Sequence, residues 1–307
     1  MAEGPSESAP LPDVPSAEST HRDVNGVTLH VVAAGDPADP LVVLLHGFPE
    51  FWYEWRGYVE PLVEAGYRVL VPDQRGYNRS DKPAGLDAYR ISELSRDVVD
   101  LVATEGREAA HVVGHDWGAA VAWDLALRHP DVVGHLGVIN VPHPTVFEAV
   151  LTSNLTQLRK SWYMFFFQFP RIPEWYARQN GFDFMITTMD EGSRPGTFTG
   201  TDFDRYRRAW RRNDALTAMI NWYRALFRRR EDPPRERVGA PTLVVWGEQD
   251  QALVPEMASR SVEYCDDGRL ERLPENTHWV PHEAPERIAD LLREHLDPSG
   301  ASPRGTS

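Results

Sequence analysis

The stretch His111-Val112-Val113-Gly114-His115-Asp116-Trp117-Gly118 decides the fold. Its short β-branched run predicts a buried strand, and residues 117–128 predict a helix, so Asp116 stands on a strand-to-helix turn. Gly114 and Gly118, two residues either side, mark a turn too crowded for side chains at those places, one that leaves residue 116 exposed at a helix N-terminus. The positive end of the helix dipole favours an anion there. In isolation an aspartate before a helix is more simply an N-cap, and it is the rest of the chain that gives this one another meaning.

Outward from that turn, residues 27–33, 41–45, 68–71, 136–139 and 243–245 also read as strands, with amphipathic stretches between several of them. The clearest helix covers 91–104, where Ile91, Leu94, Val98, Leu101 and Val102 share one face, and Gly106 ends it. Apolar strands alternating with helices predict an α/β fold with a mostly parallel sheet covered on both faces, in which loops at the carboxyl ends of the strands carry the chemistry. From 141 to 237 the alternation stops and the chain turns aromatic and Arg-rich, which predicts an inserted helical lid or cap. The expected organisation is a disordered tail over 1–20, an α/β core from 21–140 and 238–297, the cap over 141–237, and a flexible tail over 298–307.

The 307 residues suffice for one large core with an accessory module. A formal net charge of -14 argues against binding to nucleic acid or to an anionic lipid surface, since both depend on Lys and Arg neutralising phosphate. The single cysteine, Cys265, excludes an intramolecular disulfide and any multi-cysteine metal site, and makes the cytoplasm the default location. The first residues, rich in Pro, Ser and Glu, lack the basic start and apolar stretch of a signal peptide. The longest apolar run, 163–167, is far short of the ~18 residues a spanning helix needs. Nothing in the sequence asks for a cofactor or a metal ion, and the oligomeric state, monomer or homodimer, stays open.

Three further loops carry chemistry. His46-Gly47-Phe48-Pro49 follows the apolar strand 41–45, which puts the Phe48 backbone N–H at the same sheet edge as that of Trp117, a pair of donors suited to an oxyanion. Asp250 follows the strand 243–245, and His278 follows the strand-like segment 270–273. The order nucleophile, acid, histidine is the triad order of α/β hydrolases. His282 and Glu248 are the competitors for base and acid. An ionised aspartate, unlike serine, is nucleophilic without a base. It attacks saturated carbon and leaves an alkyl ester, which the histidine then hydrolyses as a general base on water.

With these residues in view, the sequence resembles the α/β-hydrolase-fold epoxide hydrolases of soluble, bacterial type. The likeness lies in HGFPE (46–50), EFWYEWR (50–56), PDQRGYNRSDKP (72–83), GHDWG (114–118), NWYRA (221–225) and THW (277–279), and extends over nearly everything after residue 21. It implies that the substrates are a small-molecule epoxide and water, with Asp116, Asp250 and His278 as the triad. It further implies that two lid tyrosines hold the epoxide oxygen: Tyr223 matches one closely and Tyr163 matches the other, with Tyr176 and Tyr206 as alternatives. Phe48, Trp117 and Phe167, with Phe165 and Phe166, then predict an apolar substrate site.

Haloalkane dehalogenases are similar at the elbow, but many hold halide with an Asn where this chain has Phe48. Fluoroacetate dehalogenases share a tyrosine at 223 but carry arginines where this chain has Trp117 and Ala120. A haloalkane or haloacetate dehalogenase with the same nucleophile is the alternative, and a non-catalytic ligand-binding homologue the second.

Overall fold

A computed structural model of the chain describes residue 11 and residues 13–297. Eight strands, β1 (Glu18–Val24), β2 (Val27–Ala34), β3 (Leu41–Leu45), β4 (Arg68–Pro72), β5 (Ala110–His115), β6 (Val133–Ile139), β7 (Thr242–Gly247) and β8 (Gly268–Leu273), form one sheet in the order β1-β2-β4-β3-β5-β6-β7-β8. From β4 to β8 all neighbours are parallel, whereas β2 pairs antiparallel with both β1 and β4. The run Leu-Val-Val-Leu-Leu of β3 is buried at every position, as a strand in a sheet covered on both faces must be.

The core helices are α1 (Arg56–Glu64), α2 (Ile91–Thr104) and α3 (Trp117–Arg128). Between β6 and β7 the chain forms α4 (Pro144–Ser153), α5 (Leu155–Lys160), α6 (Trp162–Phe166), α7 (Ile172–Arg178), α8 (Asp183–Gly192), α9 (Gly200–Trp210) and α10 (Ala215–Arg228), and no strand. The return to the core brings α11 (Glu256–Val262), α12 (Val280–Glu283) and α13 (Pro285–Leu296). Among the described residues no helix is long and apolar enough to cross a membrane.

The structure corrects the expected N-terminal tail over 1–20. Residues 1–10 and 12 lie outside the described residues, but Val14 is fully buried and β1 begins at Glu18, pairing along its whole length with residues 27–33 of β2. The strand escapes a search for apolar runs because it is an edge strand with only Val24 fully enclosed, so polar side chains are tolerated at nearly every position. Asp13 also reaches Arg205 of α9 with a 2.5 Å ion pair. The expected C-terminal tail, 298–307, lies outside the described residues.

Candidate active site

Asp116 occupies the turn between β5 and α3 with φ 47° and ψ -123°, a positive-φ backbone conformation that residues other than glycine rarely adopt. The turn is held by crowding: a Cβ on Gly118 would stand 2.0 Å from the Leu45 carbonyl oxygen, and one on Gly114 would stand 2.3 Å from the Gly118 carbonyl oxygen. Only glycine permits the close approach of α3 to β3 and β5 that aims Asp116 outward.

The loop after β3 meets this elbow. The Phe48 backbone N–H donates to Asp116 Oδ1 at 2.6 Å, and the Phe48–Pro49 peptide is cis. From the other side, His278 Nε2 lies 3.5 Å from Asp116 Oδ2. The opposite ring nitrogen, Nδ1, is 2.8 Å from Asp250 Oδ2.

Asp250 is fully enclosed, and burial alone would raise its pKa. The His278 charge, with hydrogen bonds from His278, from Asn140 Nδ2 at 2.7 Å and from the Leu253 backbone N–H at 2.9 Å, instead holds it below the usual carboxylate value. His278 is subject to the reverse contest. Burial works against its imidazolium, but the carboxylates of Asp250 and Asp116 prevail and push it up to about 10.

Above the carboxylate lies a mostly apolar cavity of about 200 Å³, whose wall includes Asp116, His278, Phe48, Phe167, Tyr163 and Tyr223. The rings of Tyr163 and Tyr223 are 5.8 Å apart, and Tyr223 packs edge-on against Phe48 at 5.2 Å and Trp117 at 5.0 Å. Burial, reinforced by the Asp116 charge, drives both phenols well above their ordinary pKa, so they remain protonated donors. The Trp117 side chain faces a second cavity of about 160 Å³ that shares Asp116, Tyr163 and Tyr223 with the first.

The α/β hydrolase fold family model matches residues 40–285. The chain is 46% identical over 276 residues to AB hydrolase superfamily protein YfhM of Bacillus subtilis, covering 89% of this chain and 96% of that one. It is 33% identical to Epoxide hydrolase A of Mycobacterium tuberculosis, covering 89% and 95%. An epoxide hydrolase from Bacillus megaterium, solved with an inhibitor, superposes with a TM-score of 0.82 at 30% identity over 90% of this chain and 99% of that one.

This chain belongs to the epoxide hydrolase family of α/β hydrolases.

Within this hydrolase the competing residues are held elsewhere. His282 Nε2 is engaged by Glu50 at 2.6 Å, and Glu248 pairs at the surface with Arg272. Tyr206 is buried with its hydroxyl on Glu50, and Tyr176 is exposed on the lid.

The expectation that Phe165, Phe166 and Phe167 all line the site fails in part. Phe165 does not line either cavity. It is 43% exposed and packs on Phe227, while Phe166 is a partly buried neighbour of Tyr176. Phe167 alone of the three turns inward, because it lies four residues after Tyr163 on the same side of the helical turn. Trp162, at the rim of the first cavity, is 54% exposed, and Trp175 is 62% exposed.

One residue of the site escaped the sequence reading. Asn140 follows β6 and carries no carboxylate. With φ 50° it donates to Asp250 and accepts from the Gly247 N–H at 2.8 Å, so it orients the acid without being one. Its place at the carboxyl end of a central strand was the available signal.

Proposed function

We propose that this hydrolase opens epoxides to vicinal diols through an ester on Asp116. The observation that carries the reading is a carboxylate with one oxygen on the Phe48 N–H and the other near His278, beneath a cavity walled by two protonated tyrosines.

Oδ2 is the attacking oxygen, since Oδ1 is occupied by Phe48. Its lone pair forms a bond to a ring carbon, and the carbon–oxygen bond of the ring breaks. The alkoxide is a poor leaving group, so Tyr163 and Tyr223 hydrogen-bond the oxygen and one transfers its proton as charge develops. Forming the ester removes the negative charge of Asp116, which had helped to hold the proton on His278. The imidazolium becomes more acidic, releases its proton to restore the tyrosine, and is left neutral.

Neutral His278, oriented by Asp250, then takes a proton from water as the water attacks the ester carbonyl carbon. The Phe48 and Trp117 N–H groups hold the resulting oxyanion, each worth about 3 kcal/mol in comparable sites. On collapse the diol oxygen leaves with the hydroxyl proton of the intermediate, which restores the carboxylate and leaves His278 cationic as in the resting enzyme.

A dehalogenase would use the same nucleophile, but a halide leaves without needing two phenol donors. A panel of an aryl epoxide, an alkyl epoxide, a haloalkane and fluoroacetate decides between them when diol and halide are measured for the wild type and Asp116→Asn. Diol from the wild type alone supports the proposal, and halide release without diol sinks it.

A further inference from the structure

Beneath the site lies a set of enclosed polar groups that the reaction does not use: Glu50, Glu54, His115 and His282. Glu50 is satisfied on one oxygen by His282 and Tyr206. Glu54 is placed differently. Its Oε2 accepts from the Gly47 N–H at 2.8 Å, one residue before the Phe48 N–H that holds Asp116. Its Oε1 lies 2.9 Å from His115 Nδ1, though the two are not aligned as a hydrogen bond and neither atom has another partner, and His115 Nε2 lies 2.8 Å from the carbonyl oxygen of His278. Glu54 and His115 are almost wholly shielded from solvent. These contacts run from the Phe48 turn, through a carboxyl and an imidazole, to the backbone of the histidine.

The hydrogens along this path follow from its ends. A carbonyl oxygen only accepts, so His115 Nε2 carries hydrogen. Two unprotonated acceptors this close and shut off from solvent would repel, so one further proton belongs to the pair, either on the imidazole as an ion pair or on the carboxyl as a neutral pair. The His278 ring, itself cationic in the resting enzyme, is 4.9 Å from the His115 ring. A second imidazolium there would be repelled.

We propose that Glu54 is a positioning residue, a neutral carboxylic acid that joins the Phe48 turn to the His278 loop through His115.

Burial, then the charges of Glu50 and Asp116, push the Glu54 carboxyl well above its ordinary pKa, while burial and the His278 charge bring His115 down to about 4. Both shifts place the proton on Glu54. A neutral link has a specific advantage: it fixes the two loops without setting a second imidazolium beside His278 or another ionised carboxylate near Asp116, whose own charge must disappear and return in each cycle. The proposal rests on the roles given above to Asp116 and His278.

Glu54→Gln and Glu54→Leu test it. The carboxamide of Gln retains both contacts, with an N–H toward His115 Nδ1 and a carbonyl oxygen toward the Gly47 N–H, whereas Leu retains neither. Ester formation and ester hydrolysis are followed separately in single turnovers by quenching and intact-protein mass. E54Q is expected to hydrolyse the ester within about twofold of the wild-type rate and with an unchanged pH profile. E54L is expected to hydrolyse it on the order of tenfold to a hundredfold more slowly, with smaller loss in ester formation, so that ester accumulates.

If E54Q is as impaired as E54L, or its acid limb moves, the neutral link is overturned. Wild-type ester hydrolysis in E54L overturns the positioning role. One equivalent of tightly held divalent metal in the purified enzyme also overturns it, because Glu50, Glu54 and His115 have atoms within 4.8 Å of one another and would then be ligands. Should E54L not fold, E54Q alone decides. Absence of any ester in the wild type would instead remove the mechanism on which the proposal rests.

Discussion

His278 Nε2 stands 3.5 Å from Asp116 Oδ2 while its Nδ1 is fixed at 2.8 Å on Asp250, so one imidazole is flanked by two carboxylates of different fate. Asp250 stays charged throughout the proposed cycle. Asp116 loses its charge when it is alkylated and regains it on hydrolysis. The basicity of His278 is thereby tied to whether the ester is present.

That tie is measurable. In the resting enzyme the two carboxylates put the His278 pKa at about 10. Asp116→Asn removes one stabilising negative charge, the imidazolium becomes easier to deprotonate, and the pKa falls. NMR titration of the imidazole in both proteins checks the direction, and an unchanged value would mean that Asp116 does not act on His278.

Removing the base should stop the cycle half-way. His278→Gln is expected to form the ester at a measurable rate and to hydrolyse it at least about a thousandfold more slowly. The protein mass then rises by that of the intact epoxide. In the wild type, repeated turnovers in oxygen-18 water should pass label from the carboxylate into the diol, and full solvent label in the first-turnover diol would mean direct attack by water.

The tyrosines act only where an alkoxide forms. Tyr163→Phe and Tyr223→Phe should each slow ester formation by about a hundredfold and leave hydrolysis of an already formed ester near the wild-type rate. Equal slowing of both steps would show that the hydroxyls only support the lid.

Asn140→Ala withdraws a donor from Asp250 and the acceptor of the Gly247 N–H. Two enclosed groups lose partners, so the cost in stability is about 1–3 kcal/mol for each group left unsatisfied. The Asp250 pKa should rise, which moves the acid limb of ester hydrolysis to higher pH. A rate-against-pH profile with no such movement would separate Asn140 from the acid.

Acid should unfold this protein through its histidines. His143, brought down to about 4 by burial, is stacked against Tyr264, and His111 and His295 are brought down to about 4 by burial and by neighbouring histidines. A group with a folded pKa below its unfolded value contributes its stability above the unfolded value. That contribution declines as pH falls from about 6.5 toward 4, because the unfolded chain takes up protons the folded one refuses. Denaturant unfolding between those limits should therefore show falling stability, and His143→Phe should reduce the slope by about one proton.

The turns that carry Asp116 and Asp250 were readable because β5 and β7 hold buried apolar runs, whereas β8 is a polar edge strand and His278 was placed by triad order. Glu54 and Asn140 were not readable for a physical reason. Their partners, His115 and Asp250, lie far along the chain; Glu54 has no local pattern that distinguishes it from a surface polar group, and Asn140 has only its place at the end of β6. Aromatic content was a poor guide in the lid, since composition does not say which way a ring faces: Phe167 turns inward at the same density of aromatics that leaves Phe165 and Trp175 in solvent. Strand β1 was hidden by the tolerance of an edge for Glu, Ser, Thr, His and Arg.

That edge strand bears on how the protein is handled. Cloning boundaries drawn from the sequence alone would start at residue 21, cutting the ladder at Thr20↔Val31 and discarding the buried Val14. The trimmed product would present part of β2 as an uncovered edge, ready to recruit a strand from another molecule. Precipitation of such a product during expression would report a poor choice of start site, and say nothing against the enzyme.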